Sequence, residues 1–203
     1  MRKVEDRRVR RTRAALQDAL VALMIEKGYE ATSVQDIIDR ANVGRATFYS
    51  HFADKRTLLV SRLEDLRVHL LDRQREAMSG VPRGSRQFGF SIAMLEHAAS
   101  SLALWKSISN SEGGAFVMRR IHDMIADLVR NDLSALGMNR PSSQREMLVQ
   151  QITGSFMGAM MWWLEEGAKL SPEEVDEAFR RVVMDGLGDE LRARSKGSRA
   201  KAL

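Results

Sequence analysis

The sequence predicts an all-α fold of about nine helices, a small three-helix N-terminal head followed by a larger helical domain. Three observations predict it. Only three prolines occur in 203 residues, β-branched alternation is scarce, and apolar residues recur at helical spacing between Gly and Pro punctuation. Hydrophobic residues make up 44% and charged residues 29%, a balance that supports a real core and argues against disorder.

The first helix spans about Arg8–Lys27, with Leu16, Leu20, Leu23 and Met24 on one face, and stops at Gly28. The second covers roughly Ser33–Arg40. Ser33 and Asp36 there fit a capping box, and Val34, Ile37, Ile38 and Ala41 form one apolar face. Asn42-Val43-Gly44 is a tight connection to the third, Gly44–Ser50, whose Phe48 turns to the core together with Phe52. A fourth, long helix starts near Asp54 and carries Leu58, Leu59, Leu63, Leu66 and Leu70 to about Met78. Ser79–Ser85, with two glycines and Pro82, is the clearest break.

Beyond it the pattern predicts helices at about Arg86–Ser100, Leu102–Ser109, Ala115–Leu136, Ser142–Glu166 and Pro172–Leu187. Ser171 as cap, Pro172 in the first turn and Glu173-Glu174 behind it form a strong start signal. The expected organisation is a head over 1–56, a helical domain over 57–187 and an unstructured basic tail over 188–203.

The net charge of +5 favours an acidic partner. Its distribution says more: Arg2, Lys3, Arg7, Arg8, Arg10, Arg11 and Arg13 crowd the N-terminus, and a second basic run, Arg192 to Lys201, closes the chain. With no cysteine, disulfides, thiol nucleophiles and Cys-type zinc sites are excluded. Met147–Leu164 lacks charge, but Gln150, Gln151, Thr153 and Ser155 fill its first half, so a buried helix is expected rather than a membrane span. No export signal is read in the first apolar stretch, and a cytoplasmic chain without a membrane partner is expected. His97 and His122 have no carboxylate one turn away, so neither metal nor cofactor is expected. No nucleophile elbow, phosphate loop or HExxH string occurs, which argues against an enzyme.

Ser33 to Arg56 carries the function. Two short helices joined by a tight turn form the helix-turn-helix pattern, in which the second helix enters the DNA major groove. The outward positions of that helix are Arg45, Ala46, Thr47, Tyr49 and His51. The string ANVGRATFYSHFADK over residues 41–55, with ATSVQDI over 31–37 ahead of it, resembles the TetR/AcrR family signature, and the match extends over about Thr12 to Leu59.

The resemblance implies a regulator whose three N-terminal helices read double-stranded DNA at a palindromic operator. A fourth helix links the reader to a ligand-binding domain, and the last two helices pair two copies into a homodimer. It further implies that Ser33 bonds a phosphate, Arg45 and Thr47 meet base edges or the adjacent backbone, Tyr49 and His51 contact phosphates, and Lys55 anchors another phosphate. Gly44 stands where the family often has Ser and Ala46 where Gly is common, which removes a hydroxyl contact at position 44. The family's usual sense is a repressor released by a small-molecule effector; the residues themselves do not encode the sign.

The eighth helix is apolar nearly all round, and the ninth has one apolar stripe. A four-helix interface from two copies fits both patterns, with Phe156, Met160, Trp163, Val175, Phe179 and Val182 as its expected residues. Gly154 and Gly158 would allow close approach there. Met94, His97, Trp105, Phe116 and Trp162 are the candidates for lining an effector pocket. The competing readings are a non-specific architectural DNA-binding protein, which explains the basic ends but not a structured Arg45 face, and a helical-bundle enzyme.

Overall fold

The computed structural model describes residues 7–78, 87–109, 114–139 and 141–200, with 77–78, 109 and 189–200 described as backbone only. Among the described residues there are nine helices and no strand. They are α1 (Arg7–Ala31), α2 (Val34–Ala41), α3 (Arg45–His51), α4 (Lys55–Met78), α5 (Phe90–Ser100), α6 (Leu102–Ser109), α7 (Gly114–Ala135), α8 (Ser143–Glu165) and α9 (Pro172–Ala200). The expected loop over 79–85 and the first six residues of the basic N-terminus lie outside the described residues. No described helix is long and apolar enough to cross a membrane.

The chain divides into two compact units, Met1–Asp72 with Ser101–Met124, and Arg73–Ser100 with Ile125–Leu203. The contact division near Asp72 lies within α4, which runs unbroken from Lys55 with neither Gly nor Pro to interrupt it. Residues 188–200, expected to be an unstructured tail, continue α9 to Ala200. Leu191, Arg192, Ala193 and Arg194 form a run of strong helix formers there, flanked by Gly188 and Gly197.

In the first unit, Leu16, Leu20, Leu23 and Met24 of α1, Ile37 and Ile38 of α2, Phe48 of α3 and Leu58 and Leu59 of α4 are buried. α1 does not simply stop at Gly28. Its geometry breaks there (φ 83°, ψ 162°) and a last turn runs on to Ala31. A positive φ of this kind suits glycine, which has no Cβ to clash. Thr32 then donates its hydroxyl to the Gly28 carbonyl at 2.7 Å and closes the corner into α2. α6 packs on α1, and the Ser107 hydroxyl donates to the Met24 carbonyl, so this later helix belongs with the head. A polar seam joins α1 to α4: Gln17 Nε2 donates to Asp65 at 2.6 Å and to Ser61 at 3.2 Å, and Arg13 donates to Ser61 at 2.9 Å.

The second unit is built on four phenylalanines. Phe88, Phe90, Phe156 and Phe179 meet edge to face, with centroids 5.2 to 6.3 Å apart. Such pairs contribute about 0.5–1.5 kcal/mol each beyond their burial. α5 begins at Phe90 rather than near Arg86, because Phe88 adopts φ 64° in the turn before it and spends its N–H on Asp132 at 3.1 Å. Ser171 and Glu174 form a reciprocal cap ahead of α9, as the sequence pattern predicts.

Candidate nucleic-acid interface

α2 and α3 are placed by their ends. Ser33 accepts from the Asp36 N–H at 3.1 Å, while the Asp36 carboxylate accepts from the Ser33 N–H at 2.7 Å, the reciprocal box that starts a helix. The Ser33 hydroxyl and the Lys27 ammonium also donate to that carboxylate and hold Asp36 well below the usual carboxylate range. At the far end Asn42 turns left-handed (φ 51°), which Asn tolerates better than most residues, and stops α2. Gly44 then opens α3 without a side-chain cap.

Phe48 is 0% exposed and Phe52 is also buried, so the inner face of α3 is pinned to the core. Helical geometry then obliges the intervening positions outward. Arg45, Ala46, Tyr49 and Ser50 are exposed, while Thr47 and His51 are half-buried. Tyr49 keeps 47% of its surface in solvent, and the Arg45 guanidinium lies 5.7 Å from the centroid of its ring. At an exposed site such a cation–π contact contributes on the order of 0.5–1 kcal/mol, enough to bias a mobile arginine toward one orientation.

Beside this face lies a cleft of about 320 Å³ lined by Arg8, Val9, Thr12, Asn42, Val43, Gly44, Thr47 and His51. It unites the start of α1, the α2–α3 turn and two of the expected contact residues. Arg8 and Thr12 stand one helical turn apart on α1. Sequence reasoning counted Arg8 only as part of a basic run and passed over Thr12 and Asn42. The i, i+4 spacing of a basic and a hydroxyl residue was the available signal.

Two expected phosphate ligands are already engaged. The Ser33 hydroxyl proton is given to Asp36 at 2.6 Å. The Lys55 ammonium donates to the carbonyls of Tyr29 and Thr32 at 2.7 and 2.6 Å, with a longer contact of 3.4 Å to Glu30. Burial lowers the Lys55 ammonium from its ordinary range.

The expected effector residues fall on both units. Trp105 and Phe116 belong to the first, where the Arg56 guanidinium lies 4.5 Å from the Phe116 ring centroid. Met94, His97 and Trp162 belong to the second. Met94 is fully buried whereas Trp162 is 56% exposed. Among the described residues no cluster of His, Asp or Glu is arranged to hold a metal ion.

The expected pairing residues need correction. Phe156, Met160, Trp163, Val175 and Phe179 are buried inside the protomer, and only Val182, 67% exposed, remains available to a partner. The apolar surface of α8 was divided by register. Phe156, Met160 and Trp163 turn inward, and Trp163 donates its indole N–H to the Leu170 carbonyl at 2.9 Å. Met147, Gly154, Gly158 and Trp162 form the exposed face instead. A Cβ added at Gly154, Gly158 or Gly186 of α9 would meet nothing within 4 Å. Among the described residues nothing therefore accounts for glycine at those helical positions, where it costs about 1 kcal/mol relative to alanine.

Comparison with known proteins agrees with this geometry. The family model described as "Bacterial regulatory proteins, tetR family" matches residues 16–61, and "Transcriptional regulator C-terminal region" matches residues 88–185. The HTH-type transcriptional repressor KstR2 of Mycolicibacterium smegmatis is 24% identical over 186 residues, covering 86% of this chain and 90% of that protein. The uncharacterized HTH-type regulator YxbF of Bacillus subtilis is 25% identical over 179 residues, covering 88% of this chain; the chain spans only 46% of YxbF. Among solved structures, a putative TetR-family regulator from Syntrophomonas wolfei superposes with a TM-score of 0.69 at 21% identity, covering 86% of this chain and 93% of that one.

Proposed function

Because the chain belongs to the TetR family of bacterial regulatory proteins, we propose that it is a one-component repressor that leaves its operator when a small molecule binds. The observation that carries the reading is the exposed Arg45–Tyr49 edge of α3, held outward by buried Phe48. Arg45 is the candidate for direct base reading, since an arginine can bond two acceptors of guanine in the major groove. Thr47, His51, Arg8 and Thr12 around the adjacent cleft are the candidates for the sugar–phosphate backbone, which fixes register and is blind to sequence.

One head offers few contacts, so two copies are needed to mark a genomic site. The exposed stripe of Gly154, Gly158 and Trp162 on α8, with Val182 and Gly186 on α9, is the proposed pairing surface. Small residues at such a seam allow two helices to approach closely, and Trp162 and Val182 supply apolar area to bury. The relation to a relative named as a transcriptional repressor favours the repressor sense.

Effector binding is a shift of population. The effector must favour an arrangement in which the two copies of α3 no longer match major grooves roughly 34–36 Å apart. α4 passes from the first unit at Asp72 into the second at Arg73 and is the proposed path of coupling. A duplex partner places this work in the cytoplasm. The test is a salt titration of duplex affinity combined with footprinting upstream of the chain's own coding region. A protected site whose affinity falls steeply with salt is expected; a salt-insensitive, unfootprinted interaction overturns the reading.

A further inference from the structure

We propose that Lys55 is a positioning residue of the DNA-reading head and not one of its phosphate ligands. The proposal rests on the DNA-reading function above, but the geometry behind it belongs to the free protein. An ammonium has three N–H donors and no acceptor. Those of Lys55 point at three main-chain carbonyls, Tyr29 at 2.7 Å, Thr32 at 2.6 Å and Glu30 at 3.4 Å. The same nitrogen sits 4.2 Å from the centroid of the Tyr29 ring. The cation is therefore enclosed by oxygen on one side and an aromatic face on the other.

These carbonyls need a partner for a local reason. After the break at Gly28 only one short turn runs to Ala31, and the last carbonyls of a helix have no intrahelical donor. They are also the negative end of the helix dipole, which attracts a cation. Thr32, whose carbonyl gives the shortest contact, is buried and immediately precedes Ser33, the cap that starts α2. Lys55 itself is the first residue of α4. One side chain thus ties the end of α1 and the start of α2 to the start of α4, and so fixes the angle at which α2 and α3 are presented. To reach a phosphate the ammonium would have to abandon these carbonyls, leaving Tyr29 with only the Thr32 N–H at 3.2 Å and the Thr32 carbonyl without this donor.

Duplex affinity as a function of salt separates the two roles. Each protein–phosphate contact adds about 0.9 to the log–log slope, so removing one from each half of a dimer lowers it by about 1.8. Lys55→Met is expected to weaken operator binding on the order of ten-fold with its slope unchanged. Lys55→Arg is expected not to rescue, because a planar guanidinium keeps the charge but cannot cup three converging carbonyls. A slope lowered by about 1.8 in Lys55→Met, with affinity restored by Lys55→Arg, overturns the proposal.

Amine labelling of the wild-type protein without DNA supplies a reading that needs neither a folded variant nor a duplex. Lys55 is expected to react far more slowly than Lys169, whose side chain is 77% exposed. Equal labelling rates overturn the clamp. If no duplex is bound under any condition the functional reading fails, and slow labelling of Lys55 still establishes the clamp.

Discussion

Gln74, near the end of α4, donates its amide to the carboxylate of Asp132 on α7 at 2.6 Å, and both side chains are almost wholly buried. The same carboxylate oxygen accepts the backbone N–H of Phe88, and the Gln74 amide also reaches the Leu128 carbonyl at 3.3 Å. One acidic group thus ties three segments of the second unit together, and its burial pushes its pKa up to about 6.

The raised value fixes the sign of a pH effect. The folded state holds the Asp132 proton more tightly than the unfolded chain, so this contribution to stability is fully present below about pH 4 and is lost as pH rises through about 6. Asp132→Asn keeps an acceptor oxygen and removes the ionisation. Urea unfolding across pH 4 to 7 is expected to show wild type losing stability relative to Asp132→Asn as pH rises. Asp132→Ala leaves the Phe88 N–H without its acceptor and the Gln74 amide with only its longer bond to the Leu128 carbonyl, and is expected to cost about 2–4 kcal/mol. A pH-independent difference between wild type and Asp132→Asn contradicts this account.

At the reader, Arg45 and Tyr49 are expected to separate specificity from affinity. Arg45→Ala should erase preference at one base pair per half-site, a discrimination of about 1–3 kcal/mol. Tyr49→Phe retains the ring beside the guanidinium, so base preference should persist while all sequences bind more weakly. Competition titrations with single-base operator variants measure both. Loss of base preference in Tyr49→Phe would place the phenolic oxygen, and not the ring, in the reading step.

Pairing and folding should be separable on α8 and α9. Val182→Glu or Gly158→Leu alters only exposed surface, so a folded protomer that sediments as a monomer is expected. Phe179→Ala opens the aromatic cluster and is expected to cost about 3–5 kcal/mol in unfolding free energy. Dimers that persist in both surface variants argue for a different interface.

The legible parts of the sequence were those set by local chemistry. Ser33 and Asp36 announced the start of α2, Ser171, Pro172 and Glu174 the start of α9, and Phe48 with Phe52 the inner face of α3. What stayed hidden depends on contacts distant in sequence. Trp162 and Trp163 are the same letter on a helix apolar nearly all round, so it took the register set by Phe156 packing against Phe90 and Phe179 to show that α8 turns Trp163 inward. The attachment of α6 to α1 has no periodic signature at all. Lys55 reads as a phosphate anchor by resemblance unless the break at Gly28 is known to bring nearby the carbonyls that engage it.

The capping box offers a small, local test of the head. Ser33→Ala removes the acceptor for the Asp36 N–H and is expected to cost about 1 kcal/mol of stability. Operator affinity at a temperature well below melting should change little, because that hydroxyl is already engaged with Asp36. A large loss of affinity with stability unchanged would restore Ser33 as a phosphate ligand.

Selection of bound sequences from a pool of random duplexes tests the central claim most directly. Two α3 faces carried by one dimer predict an inverted repeat whose half-sites lie one helical turn or a multiple of it apart, roughly 10–10.5 base pairs per turn. They also predict that Arg45→Ala flattens the same position in both halves. Recovery of no common sequence, or of one unchanged by Arg45→Ala, contradicts it.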